Sequence, residues 1–250
     1  MKSKQPPKNV YSKRLIDLAK HLSVQLKAID FSSVAFCVYD PLQYAIKPHS
    51  EYLTKFVQGT VRVLYLGMNP GPWGMVQTGV PFGEVAAVRD WLQIESSADQ
   101  PDYVHPKRPI QGLQCARSEV SGRRLWGLFR DRFGDSENFF KDQFVANYCP
   151  LAFMDEGARN LTPDKFPTGL RKQLESICDE HLKEVIAILK PDFFVGIGGF
   201  AELCGQRCLP KELENQTKVL RILHPSPASP AANRDWSGSV TKTLEDAGVW

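Results

Sequence analysis

The sequence predicts an α/β protein in which a central four-stranded parallel sheet lies between two helical layers. Four short apolar runs, each typical of a strand buried on both faces, alternate with segments of helical periodicity. They cover residues 61–66, 143–149, 193–198 and 218–223. Because strands that are separated by helices pair in parallel, we predict a three-layer α/β/α fold. No break in composition divides the chain, so we expect a disordered basic N-terminus over residues 1–10 and a single domain over residues 11–250.

The composition excludes some classes of protein and leaves others open. The 250 residues carry a formal net charge of +3, which permits a polyanionic partner without requiring one. No window reaches the ~18 uninterrupted apolar residues of a membrane span, and the polar N-terminus lacks the hydrophobic segment of a secretory signal. Cys204 and Cys208 could share a helix face, which leaves a metal or iron–sulfur site open. The other cysteines lack ligand spacing, so we favour buried, reduced thiols and expect no metal or other cofactor.

Helical periodicity is strongest in the segments that connect or flank the four strands. The predicted helices cover residues 11–29, 51–57, 84–92, 122–134, 170–189, 200–209 and 237–247. Residues 34–41 are compatible with one further short strand. The helix over residues 122–134 carries four arginines outside its apolar face, and we interpret them as a solvated surface in preference to a nucleic-acid contact.

The first strand is followed by an unusual loop over residues 67–83. It contains five glycines, three prolines and the aromatic residues Trp73 and Phe82. A plain connection between a strand and a helix needs only about 2–6 residues, and long loops without secondary structure are usually functional. Glycines let the backbone approach a ligand closely, and the aromatic rings offer stacking faces. We therefore predict that this loop forms part of a binding site.

Polar or small residues follow all four predicted strands at the point where each strand ends. They are Asn69 after the first, Asn147 at the second, Gly198 and Gly199 after the third, and His224 after the fourth. Ligands of parallel sheets bind outside the carboxyl ends of the strands, so we expect these residues to converge on one site. The set holds amides, a histidine and a stacking ring, but no carboxylate pair, no Cys–His pair and no metal cluster. The motifs GxSxG and GxxxxGK[ST] are also absent, so the chemistry would rely on recognition and electrostatic stabilisation.

Five segments resemble the single-strand-selective monofunctional uracil-DNA glycosylases, a branch of the uracil-DNA glycosylase superfamily. They are GMNPGPWGMVQTGVPFGEV (67–85), HPKRP (105–109, in a predicted surface loop), SEVSGRRLWG (118–127), NYCPL (147–151) and HPSPASPAANRDW (224–236). The resemblance runs from about Tyr44 to the C-terminus. It implies a monofunctional glycosylase of base-excision repair that acts on uracil, 5-hydroxymethyluracil and 5-formyluracil in single- and double-stranded DNA and leaves an abasic site. It also implies DNA as the partner, a monomer, and a location in the nucleus of a eukaryote or otherwise in the cytoplasm.

The resemblance implies a role for each residue at the strand ends. Phe82 would stack on the flipped base, and Asn147 would present its amide to O4 and N3–H of uracil. His224 would donate a hydrogen bond to O2 of the departing base, and Asn69 would orient the attacking water at C1′. An amide is a poor general base, so bond cleavage would be mostly dissociative. Met68 and Met75 are further substrate contacts of this kind.

Gly71 is implied as the residue that decides which 5-substituents are accepted. Uracil-specific relatives have a tyrosine at this position, and Gly71 would leave room for water that is hydrogen-bonded to loop amides. A 5-hydroxymethyl group could replace this water and keep its hydrogen bonds, whereas a methyl group would leave the amides unsatisfied. We therefore expect 5-hydroxymethyluracil to be excised and thymine to be spared.

The stiff loop that begins at His224 is suited to push into the duplex and fill the gap left by the flipped nucleotide. The residues expected to contact DNA are Arg159, Asn160, Lys165, Arg171, Lys172, Pro225, Ser226, Pro227, Ala228, Ser229, Ala232 and Arg234. Vertebrate members carry an Arg-Asn pair where this chain has Ala228 and Ser229, which removes one charge from the loop. They also have phenylalanine in place of Trp73. The glycine-rich loop, NYCPL and the HPSP segment contain no lysine that could form a Schiff base.

Two other functions remain open at this point. One is a glycosylase that prefers a deaminated purine or an oxidised pyrimidine, because the sequence does not define the floor of the pocket. The other is a binder of flipped or single-stranded nucleotides without catalytic activity. Release of an abasic site from a uracil oligonucleotide distinguishes an enzyme from a binder.

Overall fold

A computed structural model describes residues 9–250 and shows a four-stranded parallel sheet flanked by helices. The strands are β1 (Cys37–Tyr39), β2 (Val63–Gly67), β3 (Gln143–Asn147), β4 (Ala152–Met154), β5 (Asn160–Leu161), β6 (Phe193–Ile197) and β7 (Lys218–Ile222). The central sheet has the order β3-β2-β6-β7, and each neighbouring pair is parallel. The three-layer α/β/α prediction is confirmed, and each predicted core strand differs from the observed one by at most two residues at either end.

Helices account for most of the remaining secondary structure in residues 9–250. They are α1 (Asn9–Leu26), α2 (Pro41–Tyr44), α3 (Ile46–Phe56), α4 (Met75–Thr78), α5 (Val120–Phe133), α6 (Ser136–Phe140), α7 (Thr168–Leu189), α8 (Gly199–Cys208) and α9 (Pro230–Asp246), with a π-helical turn at Ala87–Trp91. Helix α1 includes Asn9 and Val10, so the prediction of disorder is wrong for these two residues. The rest of that prediction, residues 1–8, lies outside the described residues.

A second, antiparallel sheet has the strand order β1-β4-β5. Of its three strands, only β1 lies in a segment, residues 34–41, that the sequence analysis gives as a possible strand. Strands β4 and β5 contain three and two residues, which is too short for a recognisable alternation of apolar and polar side chains. This sheet has its own buried cluster, which includes Tyr39 and Met154. The antiparallel pairing of β4 and β5 folds the polar segment after β4 back onto β4.

The central strands are continuously apolar because the sheet is covered on both faces. All five residues of β2 are buried, and Leu64 and Tyr65 have no exposed surface. The buried Tyr65 hydroxyl donates a hydrogen bond to Gln143 Oε1 at 2.8 Å, so its polar group is satisfied within the core. The sheet is thereby a rigid base for the loops at its carboxyl edge.

Helix α9 begins seven residues earlier than the predicted helix over residues 237–247. Ser229 caps it, since its Oγ accepts a hydrogen bond from the backbone N–H of Ala232 at 3.3 Å, and Pro230 occupies the first turn. The helix is kinked at Asp235, where φ is −158°. The segment after His224 is therefore a short loop followed directly by a helix.

All six cysteines of the chain lie in the described residues, and each is buried with a free thiol. Burial raises the pKa of Cys204 to about 12, so this thiol stays protonated at neutral pH. Within residues 9–250, no three His, Cys, Asp or Glu side chains are grouped as a metal ion would require. In the same part of the chain, no helix has the length and apolar character needed to cross a membrane.

Candidate active site

The carboxyl ends of the central strands meet at a cavity of about 510 Å³. Its walls come from the loop after β2, the start of α5, the end of β3, β5 and the loop after β7. The lining residues are Met68, Asn69, Gly71, Pro72, Trp73, Phe82, Ser118, Glu119, Val120, Ser121, Asn147, Asn160, Thr162, His224, Ser226 and Pro227. The predicted convergence of Asn69, Phe82, Asn147 and His224 is confirmed. Gly198 and Gly199 are not among these lining residues.

Asn147 presents an unpartnered acceptor to this cavity. The parallel register pairs it with Gly67, and a Cβ at Gly67 would overlap both Asn147 Oδ1 and the Phe82 ring. The absence of a side chain at Gly67 therefore lets both groups approach. Asn147 Nδ2 donates to Met75 Sδ at 3.2 Å, whereas Oδ1 is buried without a hydrogen-bond partner among residues 9–250. An orphaned buried acceptor costs roughly 1–3 kcal/mol, and a ligand N–H would relieve that cost.

Phe82 is held in a strained backbone conformation beside Asn147. Its φ of 52° lies in the left-handed region, where a bulky residue costs about 1–3 kcal/mol. The Phe82 carbonyl accepts hydrogen bonds from Trp126 Nε1 at 3.1 Å and from the N–H of Glu84 at 2.7 Å. These contacts fix the backbone of a residue that is 8% exposed and whose ring centroid lies 6.2 Å from that of His224. The ring is a flat apolar wall against which a base can stack.

His224 follows β7 and is oriented by its own loop. Its Nδ1 accepts a hydrogen bond from the backbone N–H of Ser226 at 3.1 Å. A nitrogen that accepts carries no proton, so this hydrogen bond assigns the proton of the neutral ring to Nε2. Burial lowers the pKa of His224 below its ordinary value. The residue is therefore a neutral hydrogen-bond donor, a property that the sequence left open.

Asn69 is fixed by the segment that follows β3. Its Nδ2 donates to the carbonyl of Leu151 at 3.4 Å, which leaves Oδ1 as an acceptor at the cavity. The neighbouring residue Met68 also lines the cavity, and its carbonyl accepts a hydrogen bond from the N–H of Cys149 at 2.8 Å. The glycine-rich loop and the NYCPL segment are thus tied together at the site.

Met75 does not line this cavity, which corrects its prediction as a direct substrate contact. It lies in α4 with 2% of its surface exposed, and its sulfur accepts the Asn147 hydrogen bond. Behind it is a smaller cavity of about 50 Å³ that includes His49 and His181 among its lining residues. The role supported for Met75 is to hold the amide of Asn147 in position.

Glu119 lines the cavity although no carboxyl group was predicted there. Its Oε2 is buried without a hydrogen-bond partner in the described part of the chain. A Cβ added at Gly71 or at Gly74 would overlap its carboxyl group. The space that a side chain at position 71 would take is therefore filled by this carboxyl group, and water bound to the loop amides stays a prediction. Burial, reinforced by the charge of Glu84, raises the pKa of Glu119 to about 7.

The loop over residues 225–229 is anchored by Arg124, which the sequence favoured as part of a solvated face. Arg124 Nη1 donates to the carbonyl of Pro225 at 3.1 Å, and Nη2 donates to Asn233 Oδ1 at 2.9 Å. Asn233 Nδ2 in turn donates to the carbonyl of Pro227 at 2.8 Å. This network joins helices α5 and α9 to the loop. The solvated interpretation is wrong for Arg124.

The residues that were predicted to contact DNA from this loop divide into exposed and buried ones. Pro227 and Ala228 are exposed, and Ser226 and Pro227 also line the cavity. Ser229 is the helix cap described above, and Arg234 is exposed on α9. Pro225 is buried, and Ala232 is only 3% exposed and packs in the core. The prediction of a DNA contact is corrected for these two buried residues.

The other predicted DNA contacts, from residues 159–172, lie mostly outside the cavity. Asn160 lines it, but the four basic residues Arg159, Lys165, Arg171 and Lys172 do not. Arg159 is exposed and pairs with Asp155 at 2.7 Å. Arg171 donates to the carbonyl of Asp164 at 3.3 Å. Lys165 and Lys172 are exposed.

Trp73 lines the cavity, and its ring is covered by two arginines from neighbouring segments. Arg108 and Arg117 lie over its ring, with guanidinium carbons 4.9 Å and 5.4 Å from the centroid. Arg108 belongs to HPKRP, which was expected to be a surface loop. His105 of that segment is 1% exposed, so the expectation is wrong for this residue. The segment positions Arg108 beside Trp73.

Three comparisons relate the chain to proteins of known family. Residues 54–247 match the family model of the uracil DNA glycosylase superfamily. The single-strand selective monofunctional uracil DNA glycosylase of Bos taurus is 42% identical over 245 residues, covering 98% of this chain and 90% of the relative. The Rattus norvegicus protein of the same description is 46% identical over 228 residues, covering 91% and 82%.

A solved structure supports the assignment at the level of fold. Wild-type SMUG2 of Pedobacter heparinus superposes with a TM-score of 0.64 at 16% identity, covering 94% of this chain and 97% of that chain. Fold, site and sequence relatives lead to the same assignment. The chain belongs to the single-strand selective monofunctional uracil-DNA glycosylases of the uracil-DNA glycosylase superfamily, and it is a hydrolase that removes uracil from DNA in base-excision repair.

Proposed function

We propose that this glycosylase excises 5-hydroxymethyluracil and 5-formyluracil as well as uracil, from single- and double-stranded DNA. The observation that carries recognition of the uracil ring, which all three bases share, is the buried, unpartnered Oδ1 of Asn147 beside the Phe82 ring. A flipped uracil that stacks on Phe82 can donate N3–H to this oxygen, and the second N–H of the Asn147 amide can donate to O4. Cytosine has the reverse polarity at both atoms and would leave buried groups unpaired.

The proposed chemistry stabilises the departing base instead of using a strong nucleophile. His224 is a neutral donor through Nε2, and its hydrogen bond to O2 would strengthen as negative charge develops on uracil. Asn69 Oδ1 is available to accept a hydrogen bond from a water molecule at C1′. Since an amide cannot remove a proton efficiently, the glycosidic bond would break largely before water attacks.

The same site supports a monofunctional reaction that ends at an abasic site. Of the residues in the described chain that line the cavity, none is a lysine, so no amine is placed to form a Schiff base. The exposed Pro227 and Ala228 would fill the gap left by the flipped nucleotide and hold the abasic product. A single chain contains the complete site, which supports action as a monomer. In a eukaryote, repair of chromosomal DNA would place the enzyme in the nucleus.

A panel of oligonucleotide substrates tests the proposed range. Single-turnover release of uracil, 5-hydroxymethyluracil, 5-formyluracil, thymine and hypoxanthine is measured in single strands and duplexes, with alkaline cleavage reporting abasic sites. We expect release of the first three bases and retention of thymine and hypoxanthine. Release of uracil alone would contradict the proposed range, and efficient release of thymine would contradict discrimination by polarity.

A further inference from the structure

Glu119 has no part in the mechanism proposed above, although its carboxyl group lies at the cavity. The residue immediately precedes α5, but its side chain makes no capping hydrogen bond to that helix. Instead it packs against the glycine-rich loop, where the absence of a Cβ at Gly71 and at Gly74 makes space for the carboxyl group. Its Oε2 is buried, and no described residue donates or accepts a hydrogen bond there. A buried carboxyl oxygen without a partner requires an explanation, and a hydrogen bond to a ligand in the adjacent cavity would satisfy it.

The electrostatic surroundings favour the protonated form of this carboxyl group. Burial and the nearby charge of Glu84 raise the pKa of Glu119 to about 7. Within residues 9–250 none of the nearby arginines forms an ion pair with Glu119. Arg108 and Arg117 lie over Trp73, and Arg123 donates to Ser118 Oγ at 3.0 Å. His224, which lines the same cavity, is neutral.

The contacts proposed for the other residues of the site leave one edge of the base without a partner. Asn147 takes O4 and N3–H, His224 takes O2, and Asn69 serves the sugar carbon. The edge without a partner is C5–C6, and Gly71 and Glu119 line the cavity beside the groups already assigned, with the Glu119 carboxyl group packed against Gly71. We propose that Glu119 is a specificity residue that reads the 5-position, donating a hydrogen bond to the oxygen of a 5-formyl or 5-hydroxymethyl group. This inference rests on the proposed function, because it assigns a residue to substituents that the proposed function includes.

The two substituents differ in what they require from this carboxyl group. A formyl oxygen only accepts, so it needs the protonated acid and is repelled by the carboxylate. A hydroxymethyl group donates and accepts, so it can pair with either form. The methyl group of thymine satisfies neither form and would bury the carboxyl group without a partner. Recognition of formyl is therefore sensitive to pH, whereas recognition of hydroxymethyl is not.

The test measures single-turnover excision of uracil, 5-hydroxymethyluracil and 5-formyluracil from one single-stranded oligonucleotide between about pH 6 and 8.5. The wild type is compared with Glu119→Gln, a neutral isostere that keeps a hydrogen-bond donor, and with Glu119→Ala, whose side chain has neither a donor nor an acceptor. For each 5-substituted base, the excision rate is divided by the rate for uracil. This ratio for the wild type is then divided by the same ratio for Glu119→Gln at the same pH, which cancels the pH dependence of the substrate itself. An acid with a pKa near 7 is about 90% protonated at pH 6 and about 3% at pH 8.5, so the normalised formyl-to-uracil ratio should fall roughly 30-fold.

The other expected results follow from the same chemistry. The normalised hydroxymethyl-to-uracil ratio should stay constant over this pH range. Glu119→Ala should lose at least tenfold in the excision of both 5-substituted bases relative to uracil. If Glu119→Ala fails to fold, the isosteric Glu119→Gln variant still carries the test through its pH profile.

The results that would contradict the inference are distinguishable. If the wild type excises 5-formyluracil and the normalised ratio does not change with pH, Glu119 does not read the 5-position and the proposed substrate range stands. If the wild type excises uracil and neither 5-substituted base at any pH, the proposed range is wrong and the inference is overturned with it. Unchanged excision of both 5-substituted bases relative to uracil in Glu119→Ala also overturns the inference.

Discussion

At the scale of single residues, the site depends on polar groups whose orientation is set by one hydrogen bond each. The N–H of Ser226 bonds to Nδ1 of His224 and so makes Nε2 the donor. The carbonyl of Leu151 accepts from Asn69 Nδ2, and the sulfur of Met75 accepts from Asn147 Nδ2, so each amide is held in one orientation. None of these partners is itself a catalytic group. Preorganised dipoles of this kind act without reorganisation when charge develops in the transition state. The most direct predictions therefore concern removal of one polar group at a time.

Substitution of either proposed catalytic residue should impair chemistry more than binding. We expect Asn69→Ala and His224→Leu each to reduce single-turnover excision of uracil by about 10²–10³, the usual effect of losing one preorganised polar group. Binding of DNA that contains uracil, measured by fluorescence anisotropy, should change much less. Near wild-type turnover in either variant would refute the role assigned to that residue.

At the scale of elements, two loops are held by contacts that are distant in sequence. The glycine-rich loop packs against the start of α5 through Glu119, and the loop over residues 225–229 is fixed by Arg124 of α5. Helix α5 thus supports both sides of the cavity. The early start of α9 shortens the second loop and leaves Pro227 and Ala228 exposed at its tip.

Removal of the Arg124 anchor should affect duplex substrates most. Arg124→Gln loses charge-assisted hydrogen bonds to the loop, and such bonds are worth about 1.5–3 kcal/mol when intact. We expect excision from duplex DNA to fall about tenfold and excision from single strands to fall less, because only a duplex has a gap for the loop to fill. Arg123→Gln is the matched control, since the side chain of Arg123, within residues 9–250, hydrogen-bonds to Ser118 and not to the loop. Equal losses on both substrates would show that the loop acts on catalysis instead of on base flipping.

The exposed tip of the loop is the place where one added charge should report contact with DNA. We expect Ala228→Arg to steepen the plot of log affinity for the abasic product against log salt by about 0.7–0.9, the effect of one additional phosphate contact. Val24→Arg adds the same charge at a position on α1 that is 70% exposed and outside the cavity, and should leave the slope unchanged. Similar slopes for both variants would indicate that position 228 does not face the DNA backbone.

At the scale of the whole molecule, two histidines behind the site make the stability of the fold depend on pH. His49 is buried, and His181 is partly buried. His49 Nδ1 lies 2.8 Å from the carbonyl of Gly79, and it lines the small cavity next to Asn147 together with His181. Burial is the main cause that lowers the pKa of both residues to about 4. Each ring is therefore neutral in the folded protein at pH values where it is protonated in the unfolded chain.

The consequence is a loss of stability as the pH falls. Between about pH 6.5 and 4 the unfolded chain binds more protons, so the free energy of unfolding should decrease by about 1.4 kcal/mol per pH unit for each of these histidines. His49→Asn keeps a donor for the Gly79 carbonyl but cannot titrate. Urea unfolding at pH 7 and 5 should show a weaker pH dependence for this variant than for the wild type. An unchanged pH dependence would contradict a buried neutral His49.

The sequence by itself determined the class of fold, the four core strands and the convergence of Asn69, Phe82, Asn147 and His224. Local sequence patterns indicate these features, because a strand that is covered on both faces must be continuously apolar and the carboxyl ends of parallel strands must meet at one edge. Resemblance to a family then assigned roles to the same residues. The helix start at Ser229-Pro230 is also a local signal, a serine cap followed by proline, although the sequence analysis predicts a loop there.

Only the tertiary structure decided which groups are buried, oriented and left without partners. Glu119 and Arg124 look like ordinary residues at the start of a helix, and their roles arise from packing against Gly71 and against the carbonyl of Pro225. Strands β4 and β5 exist because neighbours pair with them, since each is too short to carry a pattern of its own. The neutral state of His224 and the free oxygen of Asn147 depend on distances between atoms that are remote in the chain or set by a turn. Local periodicity carries no information about such contacts, because burial and hydrogen-bond partners are properties of the assembled fold.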